Sequence, residues 1–398
     1  MAPELVPVSA TTVVAKRSSS VPITAALAGS STPRTPLESP FGAAPADPAN
    51  TAPVASKVAT RPRILAIPFV SLLDPSLTFG NGSARNSDTE RGLAVAEYPR
   101  NVAQLHYGPA RVPSRESPGE AIALLQERGY TACEIDFEGK FWMDYPWAEK
   151  FGELARAAGI VLSVHAPIAG FMGHAERGKK LNMAVGMLDH SAGVAKAAGA
   201  EVVVFHPGYL LGRERAAAID SVVEQLGELR ERLVKKDRAV PFGVEIMGRV
   251  RELGTADDVF AISARTGWVR PVIDFAHLHA VTDGGFTTTA AFREILEGAD
   301  AVLPPEAPFH IHFSDIAYAN RNETKHLPYG EGTLRVEPLG TALRDFDRPA
   351  TVITESPDEA SNQAIREELY AAVGTRSASR ASSSSASASR SRARRNSA

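Results

Sequence analysis

The sequence predicts a (β/α)8 barrel, the TIM-barrel class, over residues 101–374. In this region eight short apolar runs alternate with segments in which apolar residues recur every three to four positions, and this is the count that closes a barrel. The first run is not followed by the glycine-rich phosphate turn that is typical of an open, doubly wound sheet. A barrel is therefore favoured over an open sheet.

The apolar runs are five or six residues long and rich in valine, isoleucine and phenylalanine, which is typical of buried parallel strands. We predict strands at 103–107, 132–137, 160–165, 201–206, 242–246, 269–274, 309–313 and 350–355. The segments between them have helical spacing of their apolar residues. We predict helices at 118–128, 146–158, 179–198, 215–236, 255–265, 289–297, 336–344 and 359–373.

The two ends of the chain differ in composition from the predicted barrel. Residues 1–100 form an extension rich in Ala, Pro and Ser, and residues 375–398 form a Ser/Ala/Arg tail that contains no acidic residue. Neither segment holds enough apolar surface to offset the entropy lost on ordering. We therefore predict that both extensions are largely disordered.

Composition also narrows the class of protein. The longest apolar run, residues 64–73, contains Pro68 and is too short to span a bilayer, so we expect no membrane association. A single cysteine, Cys133, excludes an internal disulfide and is typical of a reducing compartment, so we expect a cytoplasmic protein. We further expect a monomer. Residues 101–374 carry 28 basic and 39 acidic residues, which disfavours strong non-specific binding to DNA unless bound cations offset the charge.

Six consecutive predicted strands, the third to the eighth, carry a side chain that can bind a metal ion at or near their carboxyl ends. These side chains belong to His165, His206, Glu245, Asp274, His312 and Glu355. The carboxyl ends of barrel strands meet at one rim, where barrel enzymes place their chemistry. A single such residue is more often a hydrogen-bonded core residue, but a buried carboxylate must be paired or must coordinate a cation. Six of them at one rim favour a metal site.

Two more histidines extend this set. His277 follows Asp274 by three residues, and His326 lies in a polar loop, residues 323–332, after the seventh strand. Eight ligands exceed what one ion needs and predict two or three ions. Mixed imidazole and carboxylate ligands suit Zn, Mn, Fe or Co. Metal ions about 3.5–4 Å apart are typical of enzymes that cleave phosphoesters.

Seven short motifs, in this order and spacing, resemble the endonuclease IV (deoxyribonuclease IV) family, AP endonuclease family 2. The motifs are SVHAPI at 163–168, FHPG at 205–208, VEIMG at 244–248, VIDFAH at 272–277, HIHFSD at 310–315, KHLPYGEG at 325–332 and TES at 354–356. The resemblance covers residues 102–370 and is greatest to the shorter, archaeal-type branch. It implies a member of the xylose isomerase-like TIM-barrel superfamily that hydrolyses the DNA backbone 5′ to abasic sites in base-excision repair.

The resemblance also implies a site of three zinc ions. His165 and His206 would hold one ion, which Glu245 would bridge to a second ion. The remaining ligands of the second ion would be three strand-end residues, Asp274, His312 and Glu355. Glu245 would in addition be the catalytic residue, central to the attack on phosphorus.

The third zinc of the family would be held here by His277 and His326. The family uses a further aspartate two residues before the second of these histidines, and this position is Thr324. Glu323 and Asp315 are the candidates to replace it. The tyrosine that relatives carry after the third-strand histidine is Ile168, so an aromatic wedge for DNA would come from the cluster around Trp142, unless those rings simply pack the helix.

An alternative function is a sugar isomerase or epimerase of the same superfamily that uses one metal ion. Its ligands would be four of the residues already named, Glu245, Asp274, His312 and Glu355. A metal ion would polarise a carbonyl or diol, and carboxylates or histidines would transfer the proton. The substrate would then be a small sugar or sugar phosphate rather than damaged DNA. A single-metal enzyme does not need all the remaining histidines, which favours the phosphodiesterase; the full ligand set also argues against a scaffold without activity.

Overall fold

A computed structural model describes residues 105–137 and 139–374. The disorder predicted for residues 1–100 and 375–398 lies outside the described residues. Eight parallel strands form one sheet, β1–β7 and β10, and two antiparallel strands, β8 and β9, form a hairpin. The ten strands are β1 Leu105–Pro109, β2 Ala132–Asp136, β3 Val161–His165, β4 Val203–Phe205, β5 Phe242–Glu245, β6 Val269–Asp274, β7 Phe309–Phe313, β8 Asp315–Ala319, β9 Asn322–Leu327 and β10 Ala350–Thr354.

The predicted (β/α)8 barrel is confirmed. The strands follow the order β1-β10-β7-β6-β5-β4-β3-β2, and every neighbouring pair is parallel. The two ends of this sheet meet where the amide of Thr131 donates to the carbonyl of Tyr107 at 2.9 Å. Gly108 makes this approach possible, because a Cβ there would overlap the backbone carbonyl of Ala132. The chain thus closes into a barrel.

Helices surround the sheet and follow the strands as predicted. Their bounds are α1 Pro118–Glu127, α2 Tyr145–Ala157, α3 Lys179–Ala198, α4 Arg215–Lys235, α5 Ala256–Thr266, α6 Phe275–Val281, α7 Thr289–Asp300, α8 Glu337–Leu343 and α9 Glu359–Gly374. Side-chain caps fix several starts: Ser117, Asp144 and Thr255 each accept a hydrogen bond from an amide of the first turn. In this described part, no helix is both long and apolar enough to cross a membrane.

Two elements were not predicted. Helix α6 begins directly after β6, because the Asp274 side chain accepts from the amide of His277 and so caps the first turn. The polar loop expected at residues 323–332 is in its first part strand β9, which pairs with β8 in a hairpin. The turn residues of this hairpin, Asn320 and Arg321, have φ angles of 53° and 62°. Two left-handed residues give the tight turn that joins antiparallel strands. The hairpin places Glu323 and His326 in fixed positions.

The core has two parts. The main part lies between the outer face of the sheet and the helices, and a small group of Val202, Val204 and Val272 forms a separate cluster. Gly243 leaves room for these valines, since a Cβ there would lie 2.5 Å from the Val272 side chain. Apolar side chains thus pack along the strands, and the side chains at the carboxyl-end rim are polar.

Closure at Gly108 can be tested by substitution. Gly108→Ala should lower the free energy of unfolding by about 2–3 kcal/mol or more, because the added methyl group forces β1 away from β2. Gly227→Ala is the control, since Gly227 lies in α4 with open space around its Cα and should gain up to about 1 kcal/mol. Chemical denaturation measures both. If the Gly108→Ala variant were as stable as the original protein, this explanation of how the barrel closes would be contradicted.

Candidate metal centre

The barrel brings the six strand-end side chains to one rim. His165, Glu245 and Asp274 are the last residues of β3, β5 and β6, and His206 and Glu355 directly follow β4 and β10. His312 lies one residue before the end of β7. Most of these side chains are buried, and Asp274 and His312 are completely so. Their convergence follows from the parallel sheet, which turns every carboxyl end in the same direction.

Glu245 stands at the centre of the cluster, and its two carboxylate oxygens face different histidines. Oε2 lies 3.3 Å from Nε2 of His165 and 3.1 Å from Nε2 of His206. Oε1 lies 3.1 Å from Nδ1 of His312 and 3.7 Å from Nδ1 of His277. One carboxylate therefore joins two sets of imidazoles.

The second set also includes Glu355 and Asp274. Oε1 of Glu355 lies 3.4 Å from Nδ1 of His312, and Oδ2 of Asp274 lies 3.4 Å from Nδ1 of His277. Ligand atoms lie within 4.8 Å of one another in three groups that share Glu245. The groups are His165, His206 and Glu245; Glu245, His312 and Glu355; and Glu245, Asp274 and His277.

His277 and His326, predicted to share an ion, have different nearest partners. Nδ1 of His277 lies 2.8 Å from the carbonyl of Ile246, and Nε2 lies 2.8 Å from Glu323. His326 instead contacts the Ser314 hydroxyl at 2.5 Å and Glu355 at 3.7 Å. None of the ligand groups found in the described residues contains His326.

Because Thr324 has no carboxylate, Glu323 and Asp315 were the candidates to supply one, and the structure distinguishes between them. The hydroxyl of Thr324 donates to the carbonyl of Ala317, within the hairpin. Asp315 accepts from the amides of Gly330, Gly332 and Leu334, so its oxygens hold a loop rather than face the rim. Glu323 faces His277 and is the carboxylate available at this position.

The aromatic cluster around Trp142 serves packing. Phe141, Trp142, Tyr145 and Trp147 pack against the main core, and their rings contact one another or His190. Ile168, Tyr209 and Leu211 are exposed apolar side chains in the segments that follow His165 and His206.

The electrostatics of the rim favour bound cations. Burial raises the pKa of Asp274 and of Glu355 to about 7, because histidine charges offset the effect only in part. Burial opposes the charged form of His165, but Glu245 outweighs it and raises the pKa to about 10. The pKa of Glu245 falls well below its usual range, because surrounding histidine charges outweigh burial. Without cations, the cluster must hold protons to remain neutral.

These residues fit a metal ion. The buried Oδ2 of Asp274 has no hydrogen-bond partner in the described chain, as expected for an oxygen whose natural partner is a cation. The set of imidazole and carboxylate donors suits zinc and similar transition metals. Nδ1 of His165 lies 2.9 Å from the carbonyl of Ala166, and donation to it leaves Nε2 free to bind an ion.

A cavity of about 350 Å³ adjoins this centre. Glu355 and His326 of the metal cluster line it, and the loop after β1 contributes Arg111. Arg111 is 71% exposed and lies 3.8 Å from Asp136. The site therefore opens to a space that a substrate can enter, lined by side chains of both charges.

One residue of the site was missed by the sequence analysis. Glu134, in the middle of β2, is completely buried and contacts His310 and His312 from below the rim. Its signal in the sequence is a charged residue between Cys133 and Ile135, in the middle of the strand ACEID. Such a carboxylate needs buried partners, which are Ser163 on β3 and the two histidines of β7.

Comparisons with known proteins agree with this architecture. Residues 122–372 match the family model described as xylose isomerase-like TIM barrel. An uncharacterized protein of Methanocaldococcus jannaschii is 30% identical over 256 residues, which cover 64% of this chain and 92% of that protein.

Solved structures with the same fold differ in their activities. A D-tagatose 3-epimerase-like protein superposes with a TM-score of 0.54 at 19% identity, covering 67% of this chain and 97% of the other. Endonuclease IV of Thermus thermophilus superposes with a TM-score of 0.51 at 18% identity, covering 67% and 98%. At these identities the similarity shows the fold alone. The match to the family model over most of the barrel establishes that the chain belongs to the xylose isomerase-like TIM-barrel superfamily, whose members are metal-dependent enzymes.

Proposed function

We propose that the protein is a metal-dependent phosphodiesterase, with zinc as the expected metal, that hydrolyses the DNA backbone 5′ to abasic sites. The observation that carries the proposal is the position of Glu245, whose two oxygens face separate groups of ligands. A carboxylate in this position is suited to bridge two ions. Bound zinc ions would lower the pKa of water and offset the charge of a phosphate.

The protein's own residues have distinct tasks in this proposal. His165 and His206 contact one oxygen of the Glu245 carboxylate, while His312 contacts the other oxygen and also Glu355. The buried walls of the rim keep these groups in place before a substrate binds, and such preorganisation favours the transition state. Arg111, at the edge of the adjoining cavity, is placed to attract a phosphate.

His277 and Glu323 would hold a third ion. Nε2 of His277 and Oε2 of Glu323 are 2.8 Å apart. Burial raises the pKa of Glu323, but the hydrogen bond and charge of His277 outweigh it and lower the pKa to about 2. Glu323 thus supplies the carboxylate that Thr324 lacks, one position earlier in the chain.

Damaged DNA is supported as substrate by the exposed side chains near the site. Ile168, Tyr209 and Leu211 are 45%, 37% and 59% exposed, and apolar or aromatic side chains of this kind insert where bases are unstacked or missing. The excess of acidic residues means that specific contacts at the damage, rather than general charge attraction, must provide affinity.

A sugar epimerase or isomerase is the second candidate. The observation that favours it is that Glu245, His312 and Glu355 form one ligand group, with Asp274 in a neighbouring group that shares Glu245. The adjoining cavity is also large enough for a small sugar. The two candidates differ in the roles of His165, His206, His277 and His326, which a single-metal enzyme does not all need.

Glu245→Gln should abolish cleavage of a duplex that carries one abasic site, reducing the rate by more than about a hundredfold, because a neutral amide cannot bridge two cations. Glu297→Gln, on the exposed face of α7, is the control and should cleave normally. Gel electrophoresis of the labelled strand measures the nick, with an undamaged duplex alongside. Cleavage by the Glu245→Gln variant at the normal rate would remove Glu245 from the mechanism.

The double variant His165→Ala/His206→Ala should bind one metal ion fewer per chain and should lose phosphodiester cleavage. The physical reason is that two of the three ligands of one group disappear. Elemental analysis after gel filtration gives the metal count. His190→Ala is the control, because His190 packs against Phe141 and Tyr145 away from the cluster. An unchanged metal count, together with turnover of a ketose, would favour the epimerase.

A further inference from the structure

A second polar group lies inside the barrel, next to the rim ligands. It consists of Glu134 on β2, Ser163 on β3 and His310 on β7, all almost completely buried. Oε2 of Glu134 accepts from the Ser163 hydroxyl at 2.7 Å and lies 3.3 Å from Nε2 of His310. A buried carboxylate is retained at such a position only if its partners offset the loss of water.

The other oxygen of Glu134 faces a rim ligand. Oε1 lies 3.2 Å from Nε2 of His312, at hydrogen-bonding distance though not aligned as a hydrogen bond. Both atoms are buried, and neither makes a hydrogen bond to any other described group. The opposite nitrogen of the same ring, Nδ1, faces Glu245 and Glu355. The His312 ring thus stands between a carboxylate inside the barrel and the metal cluster.

This position decides which nitrogen of His312 can bind a metal. A neutral imidazole has one nitrogen with a free electron pair and one that carries a proton. A carboxylate beside Nε2 keeps the proton there, which leaves Nδ1 free on the side of Glu245. Histidines that bind metals commonly donate their other N–H group to such a carboxylate, and this raises the basicity of the ligand.

We propose that Glu134 is a positioning residue that holds the His312 ring in the tautomer and orientation needed to bind a metal through Nδ1. The inference rests on the metal site of the proposed function, but it does not depend on the substrate. Ser163 and His310 hold Glu134 in turn, so the chain of contacts runs from β3 through β2 to β7. His310 faces the Glu134 oxygen opposite to the one that faces His312.

A metal ion between Glu134, His310 and His312 is the competing arrangement, since their ligand atoms also lie within 4.8 Å of one another. An ion there would require His312 to bind through both nitrogens, and so to lose both protons. A carboxylate that accepts the Nε2 proton needs no such deprotonation. The pair of Glu134 and His312 is therefore the simpler arrangement.

The test compares zinc affinities of the metal-free full chain by competition with a chromophoric chelator. Glu134→Gln preserves the shape of the side chain but removes its charge. It should bind the same number of ions as the original protein, with the affinity for one ion lowered by about ten- to a hundredfold. Ser163→Ala should lower the same affinity by about two- to tenfold, because Glu134 loses one hydrogen bond.

Thr351→Val is the matched control. Thr351 is equally buried and lies beside His310 in the sheet register, but its hydroxyl has no hydrogen-bond partner in the described chain. This variant should keep the zinc affinity of the original protein. Circular dichroism verifies that each variant is folded. If the Glu134→Gln variant does not fold, the zinc affinity of the Ser163→Ala variant alone tests the inference, and an unchanged affinity would contradict it.

Three outcomes would overturn the inference. Unchanged affinity for every ion in both Glu134→Gln and Ser163→Ala would show that Glu134 only fills the interior. Loss of one whole ion by Glu134→Gln would show that Glu134 binds a metal itself. If the original protein bound no zinc at all, the proposed function would fail together with this inference, whereas the first two results leave that function intact.

Discussion

The site depends on one carboxylate that several imidazoles share. Glu245 is almost completely buried, and its oxygens lie between 3.1 and 3.7 Å from four histidines. Asp274 and Glu355 add two more carboxyl groups to the same small volume, with the pKa of each raised to about 7. Removing so many charges from water is unfavourable unless opposite charges enter with them. Divalent cations supply the opposite charge that the buried carboxylates need, and imidazole and carboxylate groups are suitable ligands for them.

The barrel provides the rigidity that such a cluster needs. Each ligand of the central group sits at or next to the end of a strand whose neighbours fix it on both sides. Glu134 adds support beneath the rim, so the proposed metal site rests on two levels of polar contacts rather than one. The hairpin β8–β9 places Glu323 beside His277. Activity would then depend on preorganised charge rather than on movement of a loop.

The sequence predicts the barrel and the six rim residues for the same reason, since alternating strands and helices place every carboxyl strand end together. It does not predict the hairpin, because β8 and β9 lack an apolar alternation and the turn at Asn320 and Arg321 carries no glycine signal. Glu323 was one of two carboxylates named for the His277 ion, and only the hairpin distinguishes it from Asp315. Glu134 was visible as a charge in the middle of β2, but its histidine partners come from β7, which is distant in sequence.

The most direct measurement is a crystal structure of the zinc-loaded protein with anomalous diffraction at the zinc edge. The account predicts at least two anomalous peaks, one on each side of the Glu245 carboxylate and about 3.5–4 Å apart. One peak is expected beside His165 and His206, and the other beside His312 and Glu355. A single peak, or peaks far from Glu245, would contradict the bridged centre from which the proposed phosphodiesterase activity follows.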